Sequence, residues 1–79
     1  MAITKQELQA LRRIFRLAPR ELELLGLILE GVNADKDLAE RLGVTVGTAK
    51  QMLQRLFIKV GHSNKLALAL AALRELGRL

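Results

Sequence analysis

The chain has no cysteine, one proline, one histidine, and no acidic residue between Arg41 and Arg74. Without cysteine, disulfides and thiolate metal sites are excluded outright. A chain of 79 residues with no cross-link needs a well-packed core, a partner subunit, or both. With 51% hydrophobic residues it has ample material for a core. One proline and no sustained strand-like alternation leave an all-helical reading. The lone His62 has no thiol partner and no carboxylate near it in sequence. Placed after Gly61, it reads as a turn residue rather than a catalytic or metal group, so neither an enzyme nor a bound cofactor is expected. The glycines are read at helix ends, apart from Gly47 in a first turn, so there is no glycine-rich phosphate loop. The longest apolar run, Leu66 to Leu73, is far short of the roughly 20 residues that span a bilayer. No signal-peptide pattern opens the chain, and a cytoplasmic protein without a membrane partner is expected.

What is present is unevenly charged. The formal net charge is +5. Through Glu40 the acids slightly outnumber the bases; beyond it, Arg41, Lys50, Arg55, Lys59, Lys65 and Arg74 follow one another with no acid between them. A polyanionic partner explains such a gap, because a carboxylate facing a phosphate repels it. The rival explanation is a solvated basic face.

Capping chemistry and apolar spacing divide the chain into helices. Thr4 and Glu7 have capping-box spacing and open the first. Leu8, Leu11, Phe15 and Ala18 line one face of it; Arg12, Arg13 and Arg16 lie largely off that face, as a solvated surface with phosphate contact as the alternative. Pro19 starts a second helix at the first helical position, where its missing amide costs nothing. Glu21 falls at N3, Leu17 and Leu22 have the spacing of a hydrophobic staple, and Ala18 leaves the N-cap without a hydroxyl. Leu22, Leu25, Ile28 and Leu29 form its buried stripe, and Gly31 ends it in a left-handed cap. A short third helix runs from about Asp35, its expected cap, to Leu42, with Leu38, Ala39 and Leu42 inward and Gly43 in the turn. Thr45 caps a fourth helix reaching Val60. Ala49, Leu53, Leu56 and Val60 recur on its core face, flanked by Met52 and Phe57. Gly47, Lys50, Gln51, Gln54, Arg55 and Ile58 share the opposite side. The third and fourth helices with their tight turn have the layout of a helix-turn-helix, a motif that fits the DNA major groove. A last helix runs from Ser63 or Asn64 to about Leu76.

From Leu17 to Leu76 the chain resembles the LuxR-type (GerE-like) DNA-binding domain of bacterial transcription regulators. The resemblance rests on Pro19-Arg20-Glu21-Leu22-Glu23, Gly31, Leu38-Ala39-Glu40-Arg41-Leu42-Gly43-Val44, Thr48-Ala49-Lys50, Lys59-Val60-Gly61 and Asn64-Lys65. Ala18 stands where that family has Ser or Thr, and Met52 where it commonly has His. The resemblance implies an all-α small helical bundle: a four-helix domain over 17–79, preceded at 1–16 by an extra helix or a linker stub. It also implies that the helix from Thr45 to Val60 reads the major groove of double-stranded DNA, with Lys50, Gln51 and Gln54 as base readers. Lys can donate to guanine N7 and O6, and Gln can pair with adenine N6 and N7. Thr45, Thr48, Arg55, Lys59 and Lys65 are the expected phosphate contacts, which set register without reading sequence.

The run Leu66-Ala67-Leu68-Ala69-Leu70-Ala71-Ala72-Leu73 is apolar on every side, which is unusual for a surface helix of a small monomer. One face is expected against the core. The resemblance implies that the other, with Leu66, Ala69, Leu70 and Leu73, meets a second copy across a two-fold axis. A palindromic DNA site and possible contact with RNA polymerase or another regulator follow from that reading. Two alternatives stand beside it. One is a helical dimerisation module that binds no DNA and titrates another regulator. The other is a fragment resembling region 4 of a sigma factor, against which the apolar last helix argues.

Overall fold

The computed structural model describes residues 2–79; Met1, the first residue of the 1–16 segment, lies outside them. Five helices follow one another: α1 (Lys5–Phe15), α2 (Pro19–Leu29), α3 (Asp35–Leu42), α4 (Val46–Val60) and α5 (Lys65–Glu75). No strand occurs among the described residues. Each helix contributes at least one fully buried leucine to a single core: Leu11, Leu24, Leu25, Leu38, Leu56 and Leu68. Burying one such side chain stabilises by about 1.5–3 kcal/mol, so no helix can leave the bundle without exposing a costly surface. This includes α1, whose Leu11 sits in the same cluster as the leucines of α2 to α5. The radius of gyration of 11.4 Å matches one close-packed body, for which about 11.6 Å is expected at this length.

Local chemistry starts and stops the helices. The Thr4 hydroxyl accepts from the Glu7 amide at 3.1 Å, and the Glu7 carboxylate accepts from the Thr4 amide at 3.1 Å, closing the capping box. At the start of α2 only half of that arrangement exists. The Glu21 carboxylate accepts from the Ala18 amide at 2.7 Å, but Ala18 offers no side-chain acceptor in return. The end of α2 is a Schellman turn: Gly31 adopts φ 101, its amide reaches the Ile28 carbonyl, and the Val32 amide reaches that of Leu27. Thr45 caps α4 by accepting from the Thr48 amide, and Asn64 caps α5 by accepting from the Ala67 amide.

Several details differ from the sequence reading. Ala18 is not on the apolar face of α1; it is the exposed N-cap of α2. The buried stripe of α2 includes Leu24, fully buried, while Leu22 is only half-buried. Asp35 does not cap α3. Ala34 occupies that position, and the Asp35 carboxylate turns to Lys65 instead. Gly26 lies in the middle of α2 rather than at an end, with the Leu8 side chain 3.7 Å from where a Cβ would stand. No single helix among the described residues is long and apolar enough to cross a membrane.

Candidate nucleic-acid interface

The α3–turn–α4 unit is built on small and apolar residues. Leu38, Ala39 and Leu42 of α3 face Ala49, Leu53 and Leu56 of α4, all of them buried. The turn between them is made by Gly43 at φ 70, a left-handed conformation that a side chain would strain, and is closed by the Val44 amide on the Ala39 carbonyl. The Arg20 guanidinium donates to the Leu42 carbonyl at 2.7 Å and so fills a vacancy at the end of α3 that no helical amide can reach.

Two lysines brace the unit from either side. Lys59 Nζ donates to Glu21 Oε1 at 2.6 Å and to the Arg16 carbonyl at 3.1 Å, tying the last turn of α4 to the start of α2. Glu21 is the one buried charged residue among those described. Burial pushes its carboxyl pKa up. The Lys59 hydrogen bond, the Ala18 amide and the nearby charges of Lys59 and Arg55 together outweigh this and hold it below the ordinary value. On the other side, Lys65 Nζ donates to Asp35 Oδ1 at 2.7 Å and to the Asn33 carbonyl, tying the start of α5 to the start of α3.

These ties alter the list of expected phosphate contacts. Lys59 and Lys65 are engaged inside the molecule, so neither is a free cation. The Thr45 hydroxyl caps its helix and lies 3.1 Å from that of Thr48, although both residues are exposed. Arg55 is exposed and has no carboxylate within ion-pair distance among the described residues. Lys50, Gln51 and Gln54 are exposed on one side of α4, opposite its buried face, and no side-chain hydrogen bond ties them down among the described residues. Ile58 shares that side and is 79% exposed. The sequence reading missed Arg20 and Glu21 as supports. Their only signal was their place in the first turn of a helix, which does not reveal a partner 22 or 38 residues away.

The residues assigned to a second copy separate into two groups. Leu66 is 71% exposed and Leu70 half-buried, and with Arg74 they follow one another at four-residue spacing. Leu73 is buried in the core of its own chain at 6% exposure, and Ala69 packs against that core. Leu73 is therefore a core residue whose side chain is not available to a partner.

Among the described residues, no group of His and acidic side chains converges as a metal site would require. His62 is exposed, in the turn after Gly61. Comparison with family models, with characterised proteins and with solved structures finds no match to this chain.

Proposed function

We propose that this chain is a LuxR-type regulator of bacterial transcription that binds double-stranded DNA sequence-specifically in the cytoplasm. In this reading α4 enters the major groove, where Lys50, Gln51 and Gln54 meet base edges. The observation that carries the proposal is the division of α4 into two faces. One is closed against the core by Ala49, Leu53 and Leu56; the other presents exposed donors with no internal partner and no acid. Ile58 on the same side suits contact with a thymine methyl group. Two copies, paired through Leu66 and Leu70 of α5, would place two such helices on a palindromic site.

Binding to duplex DNA across a salt series tests this. The logarithm of the binding constant should fall linearly with that of the salt concentration, by about 0.9 per phosphate engaged. Lys50→Ala and Gln54→Ala should each flatten preference at one base position, at about 1–3 kcal/mol of discrimination. If both variants keep the wild-type preference, the base-reading assignment is wrong.

The exposure of Ile58 and Leu66, at 79% and 71%, favours one second reading: a helical module that binds protein and no DNA. It would show self-association or capture of another regulator, with no salt-dependent affinity for duplex DNA.

A further inference from the structure

With Lys59 and Lys65 held by Glu21 and Asp35, the free positive charge near the last turns of α4 lies elsewhere. Arg12, Arg13 and Arg16 are all exposed, and none has a carboxylate partner among the described residues. A tertiary bond links this end of α1 to α4. The Arg16 carbonyl accepts from Lys59 Nζ at 3.1 Å, which brings the C-terminal end of α1 against the last turn of α4. Arg12 and Arg13 lie in the last turn of α1, just before Arg16, so three cations cluster at this end of the helix. On α4, Arg55 is one turn before Lys59 and shares an edge of the helix with Thr48 and Gln51.

Arg16 is also the one non-glycine residue with positive φ among those described, at φ 55. That conformation is strained for any residue with a Cβ, and glycine or asparagine is its usual occupant. A long cationic side chain stands where backbone geometry alone would favour glycine. The left-handed turn is the C-cap that ends α1, with the Arg16 and Leu17 amides both reaching the Arg12 carbonyl.

We propose that Arg12, Arg13 and Arg16 form, with Arg55, a basic shoulder that grips the phosphate backbone beside the groove entered by α4. This rests on the DNA-binding reading above and extends it to α1. Through the Arg16 carbonyl, this end of α1 is tied to α4 by the same lysine that braces α4 to α2.

The test compares the double variant Arg12→Gln/Arg13→Gln with the charge-matched double variant Lys5→Gln/Arg41→Gln in the same salt series. Lys5 is exposed at the opposite end of α1, and the exposed Arg41 already pairs with Glu30 at 3.8 Å. The first pair should weaken binding about tenfold and make the salt slope shallower by about 0.9 per lost contact, with base preference unchanged. The second pair should leave the slope close to that of the wild type. Arg16→Gly keeps the left-handed turn and removes the cation, so it should raise Tm while weakening binding.

If wild-type protein binds DNA and Lys50→Ala alters its preference, equal slopes for the two double variants would overturn the shoulder and leave the α4 assignment standing. A wild-type protein with no salt-dependent affinity for duplex DNA would overturn both. Sedimentation with anionic phospholipid vesicles covers the other source of phosphate. Loss of vesicle binding by Arg12→Gln/Arg13→Gln, with duplex binding intact, would also overturn the proposal.

Discussion

Lys59 Nζ lies 2.6 Å from Glu21 Oε1 and 3.1 Å from the Arg16 carbonyl, so one ammonium joins the last turn of α4 to the two segments on either side of Pro19. Lys59 is 38% exposed and Glu21 only 9%, and the pair is therefore anchored on the carboxylate side. The arrangement has a direct consequence for acid stability. Glu21 binds its proton more weakly in the fold than in the unfolded chain. Its stabilising contribution is complete above its ordinary value of 4.5 and is lost as pH falls through the lower folded value. Denaturant titrations should show Glu21→Gln destabilised by about 1–2 kcal/mol at neutral pH, given the partial exposure of Lys59. As pH falls below 4.5 the difference from wild type should shrink. An undiminished difference there would mean that the ion pair is not its source.

The internal engagement of Lys65 predicts a separation of stability from binding. Lys65→Met removes the bonds to Asp35 and the Asn33 carbonyl and should cost about 1 kcal/mol in thermal or chemical unfolding. Its salt slope with duplex DNA should match the wild type. Arg55→Gln should do the reverse, leaving Tm nearly unchanged and the slope shallower by about 0.9. The opposite pattern would restore Lys65 as a phosphate contact.

Two substitutions should stabilise the fold without touching the proposed interface. Ala18 already has the extended backbone of an N-cap, φ −69 and ψ 157, and Glu21 already accepts from its amide. Ala18→Ser would complete the capping box for about 1 kcal/mol. Gly26→Ala places a methyl group 3.7 Å from Leu8, an ordinary contact, and should gain about 1 kcal/mol of helix propensity. Each should raise Tm by roughly 4–8 °C for a domain of this size. A fall in Tm for Gly26→Ala would show that α1 and α2 pack too closely there for the methyl group.

The leucines of α5 should divide by location. Leu73→Ala opens the core of the monomer and should cost about 2–5 kcal/mol. Leu66→Asp changes an exposed position and should move stability by less than about 0.5 kcal/mol, yet abolish self-association in analytical ultracentrifugation. Unaltered association of Leu66→Asp would remove this face of α5 from the proposed dimer.

Much of the fold was legible in the residues because it depends on local chemistry. The Thr4–Glu7 box, Pro19 at a first helical position, the Gly31, Gly43 and Gly61 turns and the Thr45 cap each act within a few residues, and each stands where the spacing puts it. The two faces of α4 were legible too, because apolar and polar residues alternate there with the helical period. Helix α5 was not: when every side is apolar, periodicity cannot say which side faces inward, and only packing sends Leu73 to the core and leaves Leu66 outside.

The cations show the same limit more sharply. The acid-free run from Arg41 to Arg74 is a property of the sequence, but which of its charges remain free depends on carboxylates brought from elsewhere in the chain. Glu21 and Asp35 lie 38 and 30 residues from the lysines they hold, distances along the chain that no local pattern encodes. Composition and spacing thus determined five helices, most of their caps and the exposed face of α4. Tertiary structure alone decided that Lys59 and Lys65 brace the bundle while Arg55 stays outside any ion pair, because an ion pair forms only where the fold brings opposite charges within reach.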